Sequence, residues 1–183
     1  YVVGGCVRDS LLGKQPNDWD ITTSAKPEAV KAIFHRTIDT GIQHGTVTVL
    51  VDREILDDGR GSPASHTDYA FEVTTYRVDG VYTDHRRPES VCFTASLEED
   101  LKRRDFTINA MAYNPEQGVI DIFGGQEDLE KGIIRCVGEA SERFDEDALR
   151  ILRAVRFAAQ LDFVIENQTR EAMRDQAKFL KDI

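Results

Sequence analysis

The sequence predicts an α+β fold: a mixed β-sheet with flanking helices to about residue 137, then a helical segment over residues 138–183. Two observations carry that reading. Residues 46–51 (Thr-Val-Thr-Val-Leu-Val) and 69–77 are strand-forming, and the second alternates Phe71, Val73 and Thr75 against Glu72, Thr74 and Tyr76. Near residue 145 the pattern changes to a 3.6-residue stripe, with Phe144, Ala148, Leu152, Val155 and Ala159 in continuous phase.

The elements follow in order. Gly4-Gly5 makes a turn into a short helix over residues 7–12, and residues 18–23 read as a strand. Pro27 suits a first helical turn, so 27–34 read as a helix. Residues 52–68, rich in Asp, Gly, Ser and Pro, read as a mobile surface loop. A second loop, 78–92, carries Asp84-His85-Arg86-Arg87-Pro88. Ser96-Leu97-Glu98-Glu99 is a capping box for a helix ending near Lys102 or Arg103. Residues 119–123 read as a strand stopped by Gly124-Gly125, and 126–131 as a brief helix. From Asp145 onward the chain reads as wholly helical, and Asn167 is placed to cap a last helix through Leu180.

Bulk properties exclude several classes. The chain has 183 residues, 40% hydrophobic and 31% charged, as in ordinary globular proteins. No apolar run is long enough for a membrane span. Cys6, Cys92 and Cys136 are scattered, which fits a reducing cytosol, and the four histidines lack zinc-type spacing. The net charge of −10 argues against indiscriminate nucleic-acid binding but leaves room for a local basic patch. The chain opens at Tyr1, beside the glycine pair, and is expected to be a piece of a longer protein.

Asp18-Trp19-Asp20 holds the first candidate chemistry. Alternate strand residues share a face, so the two carboxylates can converge on Mg²⁺, a hard ion that also keeps waters or substrate phosphates. The plain alternative is a solvated turn. Gly4-Gly5 lets backbone amides approach phosphate, and Arg8 adds a charged fork; alternatively the pair is only a tight turn. No Walker sequence is present. Glu72 is either a third metal-site carboxylate or a solvent-facing residue on an edge strand. In Lys102-Arg103-Arg104-Asp105, Arg104 is a candidate for triphosphate binding, with Asp105 ordering the site or meeting a ribose hydroxyl.

Residues 146–157 read as a helix on which Asp147, Arg150, Arg153 and Arg156 recur at three-residue spacing. A salt-bridged surface helix is one explanation. The other is base recognition. Cytosine and adenine present an amino donor beside a ring-nitrogen acceptor, which suits one carboxylate and one guanidinium. An Asp147–Arg150 pair would then prefer C and A over U and G.

Taken together, Gly4-Gly5-Cys6-Val7-Arg8-Asp9 with Leu11-Leu12-Gly13, Asp18-Trp19-Asp20, Glu72-Val73-Thr74-Thr75-Tyr76-Arg77, Arg103-Arg104-Asp105-Phe106-Thr107-Ile108-Asn109-Ala110, and Glu146-Asp147-Ala148-Leu149-Arg150 with Arg153, Arg156 and Phe157 form a recognisable set. The chain resembles the class II tRNA nucleotidyltransferase (CCA-adding enzyme) and bacterial poly(A) polymerase family. The resemblance implies a polymerase-β-like nucleotidyltransferase head over residues 1–137 and the start of an all-α neck over 138–183, with the family's body and tail outside this chain. It implies catalytic Asp18, Asp20 and Glu72, with Mg²⁺ at Asp18 and Asp20. Nucleotide contacts are implied for Gly5, Arg8, Arg104, Asp147, Arg150, Arg153 and Arg156. It further implies a cytoplasmic enzyme that adds CCA to the tRNA 3′ end from CTP and ATP, with no membrane partner. Residues 79–88 look like the flexible loop of members that add the terminal A. CC-only, A-only and poly(A) addition remain the family's other activities, and a non-catalytic RNA-binding module is the rival of another class.

Overall fold

The computed structural model describes residues 1–52, 68–83, 85–86 and 88–183, the side chain of Asp182 excepted. Residues 53–67 of the expected surface loop lie outside them. The centre is a seven-stranded mixed sheet. Its strands are β1 (Val2–Val3), β2 (Asp20–Thr23), β3 (Thr37–Gly41), β4 (Thr46–Val51), β5 (Tyr69–Thr75), β8 (Met111–Asn114) and β9 (Gly118–Asp121), in the spatial order β3-β4-β5-β2-β1-β8-β9. β2 and β5 pair in parallel; the other pairs in this sheet are antiparallel. A separate hairpin, β6 (Arg77–Asp79) with β7 (Val91–Phe93), carries residues 80–90.

The helices form where the local signals place them. α1 (Gly5–Leu11) follows the glycine turn, and α2 (Pro27–Ile33) starts on its proline. α3 (Leu97–Lys102) is capped by Ser96, whose side chain accepts the Glu99 amide at 3.3 Å. α4 (Gly125–Lys131) begins on a glycine because an added Cβ there would sit 2.4 Å from the Thr107 carbonyl oxygen. α7 (Asn167–Gln176) is capped by Glu166, which accepts the Thr169 amide at 2.8 Å, rather than by Asn167, and continues as a 3₁₀ stretch over Ala177–Asp182.

Two expectations for the C-terminal third are corrected. The helix over residues 146–157 is in fact two, α5 (Ala140–Glu146) and α6 (Leu149–Leu161). Between them Asp147 is extended (φ −139°, ψ 100°), and its carboxylate accepts the Leu149 amide at 3.0 Å. The break resets the helical phase. Phe144 and Ala148 are buried, whereas Leu152, Val155 and Ala159 are exposed; Ile151, Ala154 and Phe157 turn inward instead. Nor is this third wholly helical. β10 (Ile133–Ile134) pairs in parallel with β11 (Val164–Ile165), a two-stranded link across residue 137.

One apolar core spans the same seam. Phe106, Ile108, Met111 and Ile134 pack with Phe144, Ile151, Ala154 and Phe157. Phe106 has no exposed surface and meets Phe157 edge-on, with ring centres 5.9 Å apart. Phe106→Ala is expected to destabilise the fold by about 3–5 kcal/mol in urea unfolding. A loss below about 1 kcal/mol would show that the two parts do not share this core.

Candidate active site

A cleft of about 860 Å³ opens between the β1–α1 turn, the residue 100–109 segment and α6. That is within the usual range for a small-molecule site. Its first wall is the glycine turn. Gly4 sits at φ +80°, and a Cβ there would lie 3.2 Å from Arg104 Nη1 and 4.0 Å from an Asp20 carboxylate oxygen. The position is therefore held to glycine by backbone geometry and by the close approach of Arg104. α1 has seven residues, so the anion-binding capacity of this wall rests on Arg8 and Arg104 more than on a long helix dipole. Arg8 is buried; it donates to Asn109 Oδ1 at 2.7 Å and to Asp9 at 2.8 Å.

Asp20 is the first residue of β2 and lines the cleft. Asp18 lies ahead of the strand, outside the pleat that was expected to align the pair. Their charges still interact. Burial against the wall raises the Asp20 carboxyl above its ordinary value, Arg104 pulls it down, and the Asp18 charge raises it again. Two mutually repelling carboxylates, with Glu72 in register with Asp20 on the neighbouring strand, are a donor set suited to a hard divalent ion. β5 lies between β4 and β2, so Glu72 is exposed on an inner strand and not on an edge. Among the described residues, no three His, Cys, Asp or Glu side chains are already gathered as a metal cage. Any such ion would draw its remaining ligands from water or substrate.

Beneath the cleft lies Asp100, fully buried. One carboxylate oxygen accepts from Arg103 Nε (3.1 Å), Arg103 Nη2 (2.8 Å) and the Arg77 amide (3.3 Å); the other accepts from Thr22 Oγ1 (3.1 Å) and Arg104 Nη2 (3.3 Å). Burial alone would raise this carboxyl, but the Arg103 and Arg104 charges and the hydrogen bonds hold it below its ordinary value. Arg104 Nε is buried and has no hydrogen-bond partner among the described residues.

The opposite wall is α6. Arg153 reaches Asp105 with Nε at 2.7 Å and Nη2 at 2.6 Å. The other Asp105 oxygen accepts from the Phe106 amide and from Asn109 Nδ2. Both Asp105 oxygens are thus engaged within the site, tying α6 to the segment that follows α3. Arg150 is buried, donating to Glu146 at 2.8 Å and to the Arg103 carbonyl at 3.1 Å. Asp147 takes the Leu149 amide and an ion pair with Arg86 at 3.4 Å. Arg86 belongs to the β6–β7 connection, where the His85 carbonyl accepts the Ala148 amide at 2.9 Å and the His85 ring stacks on Phe179. At the base of that connection Asp79 joins Arg77 Nε and Tyr82 Oη.

Of the residues predicted from sequence, Gly5, Arg8, Asp20, Arg104, Asp147, Arg150 and Arg153 line one cleft. Asp18 and Glu72 stand beside it. Arg156 does not line it; its guanidinium lies 4.8 Å from the Phe157 ring centre. The residues sequence reading missed are Asp100, Asp79, Asn109 and His44. Asp100 was hidden in the acidic first turn of a capped helix, where carboxylates are ordinary.

The chain is similar to known proteins along its whole length. The profile of the Poly A polymerase head domain matches residues 1–135. The CCA-adding enzymes of Leuconostoc mesenteroides and Lactiplantibacillus plantarum are each 55% identical over all 183 residues. The chain spans 42% and 41% of those proteins' lengths. Among solved structures, the Bacillus stearothermophilus CCA-adding enzyme in complex with CTP superposes with a TM-score of 0.83 at 48% identity, covering all of this chain and 40% of that one. The Thermotoga maritima CCA-adding enzyme complexed with tRNA superposes at 0.71 and 30% identity, covering all of this chain and 39% of that one.

The raised Asp20 carboxyl has a consequence for stability. The folded chain holds that proton more readily than the unfolded chain, so stability falls as pH rises from the ordinary Asp value through the raised one. Above the raised value the penalty is fully present. Asp20→Asn is therefore expected to raise the urea midpoint at pH 7 in metal-free buffer, by a margin that narrows toward pH 4. An unchanged or lower midpoint at pH 7 would contradict the assignment.

Proposed function

Since the chain belongs to the Poly A polymerase head domain family, we propose that it is the catalytic part of a tRNA nucleotidyltransferase that adds CCA to tRNA 3′ ends from CTP and ATP. The observation that carries this reading is the meeting, in one cleft, of the Asp20 edge and glycine turn with the Asp147–Arg150 wall. Phosphate chemistry and base choice thus face the same space. In this reading residues 1–137 are the head and 138–183 the start of a helical neck, with body and tail in the rest of the protein. In this reading the site of action is the cytoplasm. No helix among the described residues is long and apolar enough to cross a membrane.

The residues divide the work. Asp18 and Asp20 would hold Mg²⁺, which when bound supplies charge stabilisation for the attacking and leaving oxygens. Gly4 and Gly5 leave the backbone open to close phosphate approach, while Arg8 and Arg104 face the triphosphate. Arg104 Nη1, which lies over the glycine turn, is the donor placed for a phosphate oxygen. Glu72 is the third carboxylate of the Asp20 edge. Asp147 accepts from the amino group of cytosine or adenine, and Arg150 donates to the adjoining ring nitrogen. Both keep capacity beyond their present partners, because a carboxylate has roughly four lone-pair sites and a guanidinium about five N–H donors. Arg153, held by Asp105, fixes the far end of the wall, and Arg156 covers the Phe157 ring behind it. The 3′ hydroxyl of the tRNA attacks the α-phosphate and pyrophosphate leaves, a reaction that rests on positioning and charge.

The test is nucleotide incorporation by the full-length protein on tRNA lacking its last three nucleotides. The expected products are CTP addition followed by a single ATP addition. Asp18→Ala and Asp20→Ala should each lower the rate by at least about a hundredfold, on the order of 3 kcal/mol of barrier. Long A tracts without CTP use would instead identify a poly(A) polymerase. Intact CTP incorporation in either variant would remove the metal-site assignment.

A further inference from the structure

From the placement of Asp100 we infer that it is a positioning residue for the triphosphate: it holds Arg104 away from Asp20 and presents Nη1 of that guanidinium to phosphate oxygens at the glycine turn. The inference rests on the nucleotidyltransferase reading and deepens it.

The argument starts from charge. A carboxylate with no solvent exposure survives only with close partners. Asp100 has five hydrogen bonds, from Arg103, Arg104, Thr22 and the Arg77 amide. Thr22 lies on β2, two residues beyond Asp20, so the carboxylate is tied directly to the strand that carries the candidate metal edge. The oxygen that accepts from Thr22 also accepts from Arg104 Nη2. A guanidinium is planar, so fixing one terminal nitrogen limits where the others point. Here Nη1 lies over the glycine turn, 3.2 Å from where a Gly4 Cβ would be. Nε remains buried and unpartnered.

Asp20 is the competing acceptor. Its charge and that of Arg104 already attract each other, and the Asp20 oxygen lies beside the same glycine turn. Without Asp100, Arg104 would close onto Asp20, costing the triphosphate a donor and the metal edge a ligand. Asp100 also fixes Arg103, whose carbonyl accepts Arg150. One buried carboxylate therefore sets a cation on the phosphate side and supports the base-reading arginine.

The test uses the full-length protein and its Asp100→Asn, Thr22→Val, Arg104→Ala and combined Arg104→Ala/Asp100→Asn variants. KM and kcat for CTP and ATP are measured together with binding of inorganic tripolyphosphate in Mg²⁺. Asp100→Asn is expected to raise KM for both nucleotides and weaken tripolyphosphate binding by roughly tenfold, about 1.4 kcal/mol, with a smaller change in kcat. Thr22→Val should act in the same direction more weakly. In tripolyphosphate binding, where there is no base to read, the double variant should be no worse than Arg104→Ala alone, because there both changes remove one interaction. Unchanged KM in Thr22→Val, effects of Asp100→Asn and Arg104→Ala on tripolyphosphate binding that multiply, or tighter tripolyphosphate binding in Asp100→Asn would each overturn the inference. Should Asp100→Asn fail to fold, Thr22→Val, nearly isosteric and away from the cleft, decides by its KM. If the unaltered protein binds neither nucleotide nor tripolyphosphate, the nucleotidyltransferase reading itself falls. If it binds them, Arg104→Ala weakens them and Asp100→Asn does not, only the Asp100 inference falls.

Discussion

Two buried carboxylates, Asp100 and Asp105, balance the guanidinium groups that the cleft gathers. Asp100 takes Arg103 and Arg104 from below, and Asp105 takes Arg153 from the side. Asn109 passes the second network on to Arg8. Four arginines drawn from α1, α6 and the turn after α3 are thereby fixed in one concave space without collapsing onto Asp20. In a chain of net charge −10, local pairing of this kind is what concentrates cations where an anion can use them.

The fold supplies the geometry that the charges need. β2 lies between β1 and β5 inside the sheet, which makes the Asp20 edge rigid. The Phe106–Phe157 contact and the shared core anchor α6 to the sheet side, so the wall carrying Arg150 and Arg153 does not depend on ion pairs alone. The break at Asp147 has a further effect. By leaving the helix, Asp147 gains an extended backbone and turns its carboxylate to the start of α6, beside Arg86 and the cleft. A continuous helix would have spent that position on an ordinary surface residue.

Much of this was legible in the chain. The Thr46–Val51 strand has the bounds that its β-branched run predicts, and the Ser96 capping box forms as written. The glycine turn, Asp20, Arg104, Asp147 and Arg150 do line one cleft, but Asp147 reaches it from a break between two helices and not from the single helix face that its spacing to Arg150 implied. Other features have no local signal. β1 is two residues long and exists through its pairing with β2 and β8. The stripe through Leu152 and Val155 looked apolar and inward, yet the interruption of the helix at Asp147 turned it to solvent. Glu166 outcompeted Asn167 as a cap because the helix starts one residue earlier than the Asn signal implies. Asp100 could not be distinguished from any acidic first-turn residue until tertiary contacts buried it.

The central claim is that protein side chains, not a nucleic-acid template, select the base. Equilibrium binding of CTP, ATP, UTP and GTP to the full-length protein in Mg²⁺, without tRNA, tests it most directly, with Arg150→Ala measured alongside. CTP and ATP are expected to bind at least about tenfold more tightly than UTP and GTP, a difference of ~1.4 kcal/mol, and Arg150→Ala is expected to level the four. Equal affinities in the unaltered protein, or selectivity that survives Arg150→Ala, would contradict the account.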